Sequence, residues 1–159
     1  MPNSDPISLS NLQMLIKAGI DQTHPLPYWV TAEISELKVN YSGHCYLELV
    51  EKGGANHVPK AKAIGIIWRS TYAMLEPYFR QMTGQTLSAG LQVLIKVVVT
   101  YHELYGLSLQ ITDIDPAYTL GDMERQRQET IARLQEDGVY DMNRELELPV
   151  VMQRIAVVS

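Results

Sequence analysis

The chain has 159 residues, of which 46% are hydrophobic and 19% charged, a balance typical of one globular domain with a few additional elements. Its single cysteine, Cys45, excludes an internal disulfide and a zinc site made of several cysteines. No apolar run approaches the ~20 residues of a membrane span, and the N-terminus lacks the basic start and apolar run of a secretory signal. We therefore expect a soluble cytoplasmic protein with no membrane partner.

The net charge of −5 argues against a nucleic-acid ligand, because phosphate binders usually carry a positive face. The distribution of charge is less unfavourable than the total. Seven basic residues oppose three acidic ones between residues 37 and 102, whereas eight acidic residues oppose five basic ones from residue 121 onward. A mildly basic middle is compatible with a local phosphate-binding surface, although such charge runs are usually solvated surface.

The first predicted element is a helix. Ser8 is a suitable N-cap, and apolar residues then recur at helical spacing at Leu9, Leu12, Leu15, Ile16 and Ile20. Pro25 and Pro27 end this helix, because proline lacks an amide donor and disfavours helical geometry in the residue before it.

Three predicted strands follow. Residues 28–37 and 44–50 alternate between apolar and polar side chains, and the sequence between them, Asn40-Tyr41-Ser42-Gly43, is typical of a turn. In residues 60–68, the small side chains Ala61, Ala63 and Gly65 alternate with larger ones. This pattern predicts three consecutive strands, the first two joined by a tight turn.

The next part of the chain completes a recognisable order of elements. Residues 70–82 predict a helix, which Pro77 either splits or restarts. Residues 90–102 are rich in β-branched side chains, and a hairpin joins them to a fifth strand at 107–115. The order β-β-β-α-β-β is that of the OB-fold, a five-stranded Greek-key barrel. We predict a mainly β fold with flanking helices of this class, with another five-stranded barrel or an α+β sheet as the alternative.

The C-terminal part predicts a helical extension. Residues 123–138 form a polar helical pattern with Gly138 placed as a C-terminal cap. The last six residues, 154–159, have the pattern of a buried strand. We therefore predict an N-terminal helix at residues 1–24, the OB-fold domain at 25–120, a helical linker at 121–149 and the start of a truncated further domain at 150–159.

The residues that carry chemistry do not form a catalytic pattern. His44 and Cys45 are neighbours on a strand, which places them on opposite faces. Asp113 and Asp115 share a strand face and are compatible with a magnesium ion, but the Pro116 that follows favours a strand end. The histidines lack the spacing of metal ligands. We predict no catalytic residue, no metal site and no cofactor in these residues.

A set of short motifs runs in order along nearly the whole chain. It comprises Leu9-Ser10-Asn11-Leu12, Leu15-Ile16-Lys17, Trp29-Val30-x-Ala32-Glu33-Ile34-Ser35, Ser42-Gly43-His44-x-Tyr46-Leu47-x-Leu49, Ile67-Trp68-Arg69, Gly90-Leu91-Gln92-Val93, Tyr101, Leu134, Asp137-Gly138-Val139-Tyr140-Asp141, Leu148-Pro149 and Arg154-Ile155-Ala156-Val157-Val158-Ser159. Together these motifs closely resemble the N-terminal part of the large subunit of bacterial exodeoxyribonuclease VII.

The resemblance implies a function for the whole protein and a role for this part of it. The part present here would be an OB-fold that binds single-stranded DNA, and residues 150–159 would begin a separate catalytic domain. The full enzyme would hydrolyse single-stranded DNA to oligonucleotides, with several copies of a small helical subunit bound through the region beyond this chain. The chain alone is therefore expected to have no nuclease activity.

A binding surface can be predicted on the OB-fold, where strands two and three and the flanking loops form the usual binding face. Single-stranded nucleic acid needs aromatic faces on which bases stack and cations along the backbone path. The residues that meet these needs are Lys38 near the first loop, His44 and Tyr46 on strand two, Lys62, Trp68 and Arg69 on and after strand three, and Tyr101, His102 and Tyr105 around the last hairpin.

Each of these residues also has a structural interpretation. Trp68 is on the same strand face as Ile64 and Ile66, so that packing in the core is at least as consistent with its position as stacking on a base. Tyr46 is equally consistent with plain surface, His44 with capping of its own turn, and the cations with solvated charge. The alternative function is an OB-like module that docks on another protein subunit, for which an apolar surface and little dependence on salt are expected.

Overall fold

The computed structural model describes residues 6–53, 58–142 and 144. The chain divides into two compact units, Met1–Asp122 and Met123–Ser159. Within the described residues the elements are, in chain order, α1 (Leu9–Thr23), β1 (Tyr28–Val39), β2 (Cys45–Glu51), β3 (Ala61–Ile67), α2 (Arg69–Thr83), β4 (Gln92–His102), β5 (Gly106–Asp115) and α3 (Pro116–Glu136).

The five strands close into a barrel in the order β1-β2-β3-β5-β4. β1 is antiparallel to both β2 and β4, and an irregularity between Ile34 and Glu36 lets this long strand bend from one partner to the other. A short parallel pairing of β3 with β5 closes the cylinder. With α2 between β3 and β4, this is the predicted OB-fold topology, and the fold prediction is confirmed.

The inward-facing side chains of the five strands fill the barrel interior. Ile34, Val93 and Ile111 are buried almost completely, and Phe79 of α2 packs into the same core with no exposed surface. Pro77 lies inside α2, which runs as one helix from Arg69 to Thr83. The packing of Leu75 and Phe79 on the barrel offsets the ~3 kcal/mol that an interior proline costs a helix.

The start of α3 differs from the prediction. We expected a helix from residue 123, but α3 begins at Pro116, immediately after β5. The Asp115 carboxylate accepts a hydrogen bond from the Ala117 N–H (2.9 Å), and proline is well suited to the first helical position. The Thr119 hydroxyl then donates to the Gln92 carbonyl at 2.8 Å. Pro116 therefore both ends β5, as predicted, and starts a helix.

The predictions for the C-terminal part of the chain and for a membrane span are compared with the structure in turn. Gly138 has a φ of 70°, the left-handed conformation expected of a residue that ends a helix. The strand predicted at 154–159 lies outside the described residues, and the division into domains stays a prediction. In the described part of the chain, no helix has the length and apolar character that crossing a bilayer requires.

Candidate nucleic-acid interface

An open cleft of about 830 Å³ lies on the outer surface of the barrel, between strands β2 and β3 and the β4–β5 hairpin. We call it the aromatic cleft. Its lining consists of Tyr46, Ile64, Ile66, Trp68, Thr100, Tyr101, His102, Tyr105, Leu107, Ser108 and Gln110. Five of the nine residues predicted to bind nucleic acid are therefore in this lining: Tyr46, Trp68, Tyr101, His102 and Tyr105.

The cleft exists because the large side chains of β3 point outward. Gly65 faces the interior, where an added Cβ would come within 3.0 Å of Ile111 Cδ1 and 3.1 Å of Leu49 Cδ1. The barrel is too narrow at that level for a larger residue. Since side chains alternate along a strand, Ile64 and Ile66 lie on the outer face and form part of the floor of the aromatic cleft.

Trp68 lies on this outer face and not in the core. Its side chain is 41% exposed, whereas the preceding Ile67 is buried, so the core-packing interpretation is wrong. The His44 ring contacts it edge to face, with ring centroids 5.0 Å apart. Trp68 follows the last residue of β3 and precedes the first residue of α2, so both elements fix the position of its backbone.

His44 has a different structural role from the predicted one. Its Nδ1 accepts the backbone N–H of Arg69 at 3.1 Å, and Arg69 is the first residue of α2. Trp68, the residue before that helix, makes no side-chain cap hydrogen bond, and the His44 ring supplies the missing acceptor for the helix start. The turn before His44 is instead closed by Asn40, whose side-chain oxygen accepts the His44 N–H at 2.9 Å. His44 thus holds Trp68 and the start of α2 at the rim of the aromatic cleft.

A row of side chains crosses the cleft floor from strand to strand. Lys38 is the partner of Tyr46, Tyr46 is the partner of Ile66, and Ile66 is the partner of Gln110. Cross-strand partners lie side by side on the same face of a sheet. Tyr46 is 38% exposed, and Lys38 therefore stands beside it at the edge of the aromatic cleft.

The β4–β5 hairpin supplies the opposite wall. The rings of His102 and Tyr105 are tilted against each other with centroids 4.7 Å apart. Tyr105 is 81% exposed at the tip. Gly106, with a φ of 78°, allows the tight turn back into β5. Three aromatic rings thus reach the aromatic cleft from within five residues of one hairpin.

The predicted cations differ in how far their charge is compensated. Lys62 lies outside the cleft lining and forms an ion pair with Glu48 at 2.7 Å. A hydrogen bond from Lys62, followed by one from Ser35, holds the pKa of the Glu48 carboxyl below its ordinary value. Neither Lys38 nor Arg69 forms an ion pair with a carboxylate of the described residues. These two cations are the better candidates for contact with phosphate.

Sequence reasoning missed the apolar and neutral polar part of the lining. This part comprises Ile64, Ile66, Thr100, Leu107, Ser108 and Gln110. The alternation of Ala61, Ala63 and Gly65 with larger residues was the available signal, since small residues on one face of a strand indicate a crowded barrel interior.

Clusters of titratable side chains and the single cysteine are the groups in which other chemistry would be sought. No group of three or more His, Cys, Asp or Glu side chains in the described part of the chain is placed to hold a metal ion. Cys45 is buried in the barrel, and burial raises the pKa of its thiol to about 11. At neutral pH it is therefore a neutral core side chain and not a nucleophile. The arrangement is suited to binding.

Comparison with known proteins agrees with the topology of the barrel. Residues 7–115 match the family of OB-fold nucleic acid binding domains, and the chain belongs to this family. It is also similar to an exodeoxyribonuclease 7 large subunit from Deinococcus radiodurans, with 37% identity over 162 residues, which covers 99% of this chain and 38% of that protein. The large subunit from Rhodopirellula baltica is 26% identical over 157 residues, 99% of this chain and 32% of the relative.

The resemblance stated from the motifs is therefore confirmed. A third large subunit, from Stenotrophomonas maltophilia, is 25% identical and again covers 99% of this chain. The chain spans about a third of the length of these curated relatives. The similarity extends beyond the OB-fold match, because almost the whole chain is aligned in each case.

Proposed function

We propose that this chain is the single-stranded DNA-binding part of the large subunit of a bacterial exodeoxyribonuclease VII. The observation that carries the proposal is the aromatic cleft, in which aromatic rings from β2–β3 and from the hairpin line the two sides of an apolar floor. Bases of a single strand are free to stack on such rings, each contact contributing about 1–3 kcal/mol. In a duplex the same bases are stacked and paired with each other, so we expect a preference for single strands.

The proposal assigns a role to each wall of the aromatic cleft. Trp68 and Tyr46 line the β2–β3 side, and His102 and Tyr105 line the hairpin side. Lys38 and Arg69, at the edge, would contact the phosphates. His44 positions Trp68, and Lys62 would contribute less because Glu48 compensates its charge.

The activity of the whole protein belongs to the same proposal. It would hydrolyse single-stranded DNA to oligonucleotides in the cytoplasm, with catalytic groups outside the described residues and with a small helical subunit as partner. The part described here would hold the substrate and have no nuclease activity of its own. The support is the similarity over 99% of the chain to proteins of that name.

The proposal is tested by fluorescence anisotropy with labelled single-stranded and double-stranded oligonucleotides. Trp68→Ala should weaken single-strand binding by about 1–3 kcal/mol, roughly 5- to 150-fold in Kd, because one stacking platform is lost. Trp29→Ala is the matched control, since Trp29 is also about half exposed but lies on β1, outside the cleft lining. Equal affinity for single and double strands, or an unchanged Kd for Trp68→Ala, would contradict the proposal.

One observation favours a second candidate function. The floor of the aromatic cleft is apolar and its lining contains no lysine or arginine. A surface of this kind also suits docking of another protein subunit, which was the alternative drawn from the sequence. A folded chain that ignores both forms of DNA at low salt would favour docking, whereas preference for single strands favours the first proposal.

A further inference from the structure

We propose that α1 braces the hairpin wall of the aromatic cleft, with Gln13 acting as a positioning residue through Tyr101. The inference rests on the proposed binding of single-stranded DNA in this cleft. Gln13 itself does not line the cleft. It acts on the ligand only through the ring that it holds.

The hairpin needs a brace because its outer part projects beyond the barrel. β5 pairs with β3 at Leu109 and Gln110, and β4 pairs with β1 no further than Val97. Among the described residues, the outer part of the hairpin, 100–108, is thus paired only with itself. An isolated two-stranded ribbon is marginally stable in water. Yet this ribbon carries Tyr101, His102 and Tyr105, which form one wall of the aromatic cleft.

Two polar contacts connect α1 to the ribbon. The Tyr101 hydroxyl donates a hydrogen bond to the Gln13 side-chain oxygen. Lys17 Nζ lies 3.1 Å from Glu103 Oε1 in an ion pair. Gln13 and Lys17 are four residues apart and therefore lie on one face of α1, whereas Tyr101 is in β4 and Glu103 is in the turn that follows it. The two contacts thus attach the same face of α1 to the end of β4 and to the turn of the hairpin.

The exposed fractions of the side chains along α1 indicate that the face carrying Gln13 and Lys17 is turned to the barrel. Gln13, Lys17 and Ile20 are its partly buried residues, and they recur at helical spacing. The apolar residues that predicted the helix, among them Leu12 and Leu15, stay exposed. Since α1 buries no residue completely, its contacts with the ribbon are specific and not a general apolar packing.

A double-mutant cycle tests the brace. Gln13→Met removes the acceptor but keeps the length of the side chain, and Tyr101→Phe removes the hydroxyl but keeps the stacking ring. We expect each change to weaken single-strand binding by roughly three- to tenfold, because the ribbon must then be ordered by the ligand. The double variant should be no weaker than either single one.

Two controls separate positioning from general damage. Gln13→Glu retains an oxygen acceptor for the Tyr101 hydroxyl and should restore the affinity of the wild type. Gln22→Met makes the same exchange at an exposed position of the same helix and should have no effect. Amide hydrogen exchange supplies a readout without DNA, in which Gln13→Met should raise exchange in residues 100–108 and leave β1 to β3 unchanged.

Each outcome decides the proposal independently of the proposed function. If wild type binds single-stranded DNA and Gln13→Met binds equally well, the brace is overturned and the function stands. Additive effects, with Tyr101→Phe the more severe, would mean that the hydroxyl contacts DNA and would also overturn it. If wild type binds no DNA, the function fails, and hydrogen exchange in the ribbon still supports or overturns the brace.

Discussion

Cys45 illustrates how the barrel interior determines the chemistry of a single side chain. It starts β2, pairs with Ile67 of β3 and has no exposed surface. Burial removes the water that would stabilise a thiolate and raises the pKa of the thiol from 9.0 to about 11. The same residue type at an exposed, electropositive position would be a candidate nucleophile. Here its environment makes it part of the hydrophobic core.

This raised pKa predicts a loss of stability at alkaline pH. The unfolded thiol ionises near pH 9 and the folded one near pH 11, so the unfolded state gains stability as the pH rises between these values. The contribution is complete below pH 9 and lost by about pH 11, and about 1.4 kcal/mol per pKa unit gives about 2–3 kcal/mol in total.

Urea unfolding at pH 8 and pH 11 measures the alkaline loss. The Cys45→Ala variant is less stable at both values because of the cavity, but its loss between them should be smaller than that of the wild type. Burial also raises the pKa of Tyr72, and this tyrosine contributes to the alkaline loss of both proteins. The two contributions differ only through the interaction of Tyr72 with the Cys45 thiolate. An identical alkaline loss in the two proteins would show that the Cys45 thiol is not protected from ionisation by the fold.

Among the helices, α2 is the one that places buried residues in the barrel core, within the described part of the chain. It brings Phe79, which is completely buried, and Leu75 against the strands. Phe79→Ala should lower the free energy of unfolding by about 3–5 kcal/mol, because a large cavity replaces the ring. Urea denaturation measures the change, with Phe79→Leu as a milder variant if the alanine protein does not fold.

The neighbouring Tyr78→Ala provides the control for this prediction. Tyr78 is the next residue on the same helix but is about half exposed. Its replacement should change stability by no more than about 1 kcal/mol, the usual range for surface positions and for the local change in helix propensity. Comparable losses for the two variants would mean that α2 does not close the barrel through Phe79.

The strands were predictable from the sequence because alternation is a local property. The first strand was expected at residues 28–37 and extends over Tyr28–Val39, and the fifth was expected at 107–115 and extends over Gly106–Asp115. The start of α3 was missed although Asp115 followed by Pro116 is a local start signal, in which the aspartate accepts the Ala117 N–H and proline takes the first helical position. The bond from Thr119 to the distant Gln92, which attaches this first turn to the barrel, is a long-range contact. Local pattern does not contain that contact.

The site was predictable only in part, and for a related reason. Alternation divides a strand into two faces without saying which face is inside. For β3 the answer depends on the space around Gly65, between Leu49 and Ile111 of two other strands. The outward positions of Ile64, Ile66 and Trp68 follow from that space. The aromatic residues of the hairpin were recognisable from their type, whereas the attachment of Tyr101 to Gln13 requires the folded chain.

At the scale of the whole molecule, the net charge is negative and many basic side chains form ion pairs. The net charge is −5, and several lysines and arginines are bound to carboxylates, including Lys17, Lys62 and Arg80. A protein of this kind gains little from general attraction to a polyanion. If it binds single-stranded DNA, stacking must contribute most of the affinity and only a few phosphates can be contacted.

This balance predicts a shallow dependence of affinity on salt. Each phosphate contact to a single strand contributes about −0.7 to the slope of log K against log salt concentration, so contacts from Lys38 and Arg69 give a slope of about −1.4. Arg69→Ala should bring it to about −0.7, and Lys62→Ala should change it less because Glu48 already neutralises that lysine. Anisotropy titrations over a series of salt concentrations measure the slope.

Arg80→Ala is the control, an arginine on α2 outside the cleft lining and paired with Glu76. A slope near zero that Arg69→Ala leaves unchanged would remove Arg69 from the phosphate path, and a slope several times steeper would mean that binding is electrostatic and does not depend on the aromatic cleft.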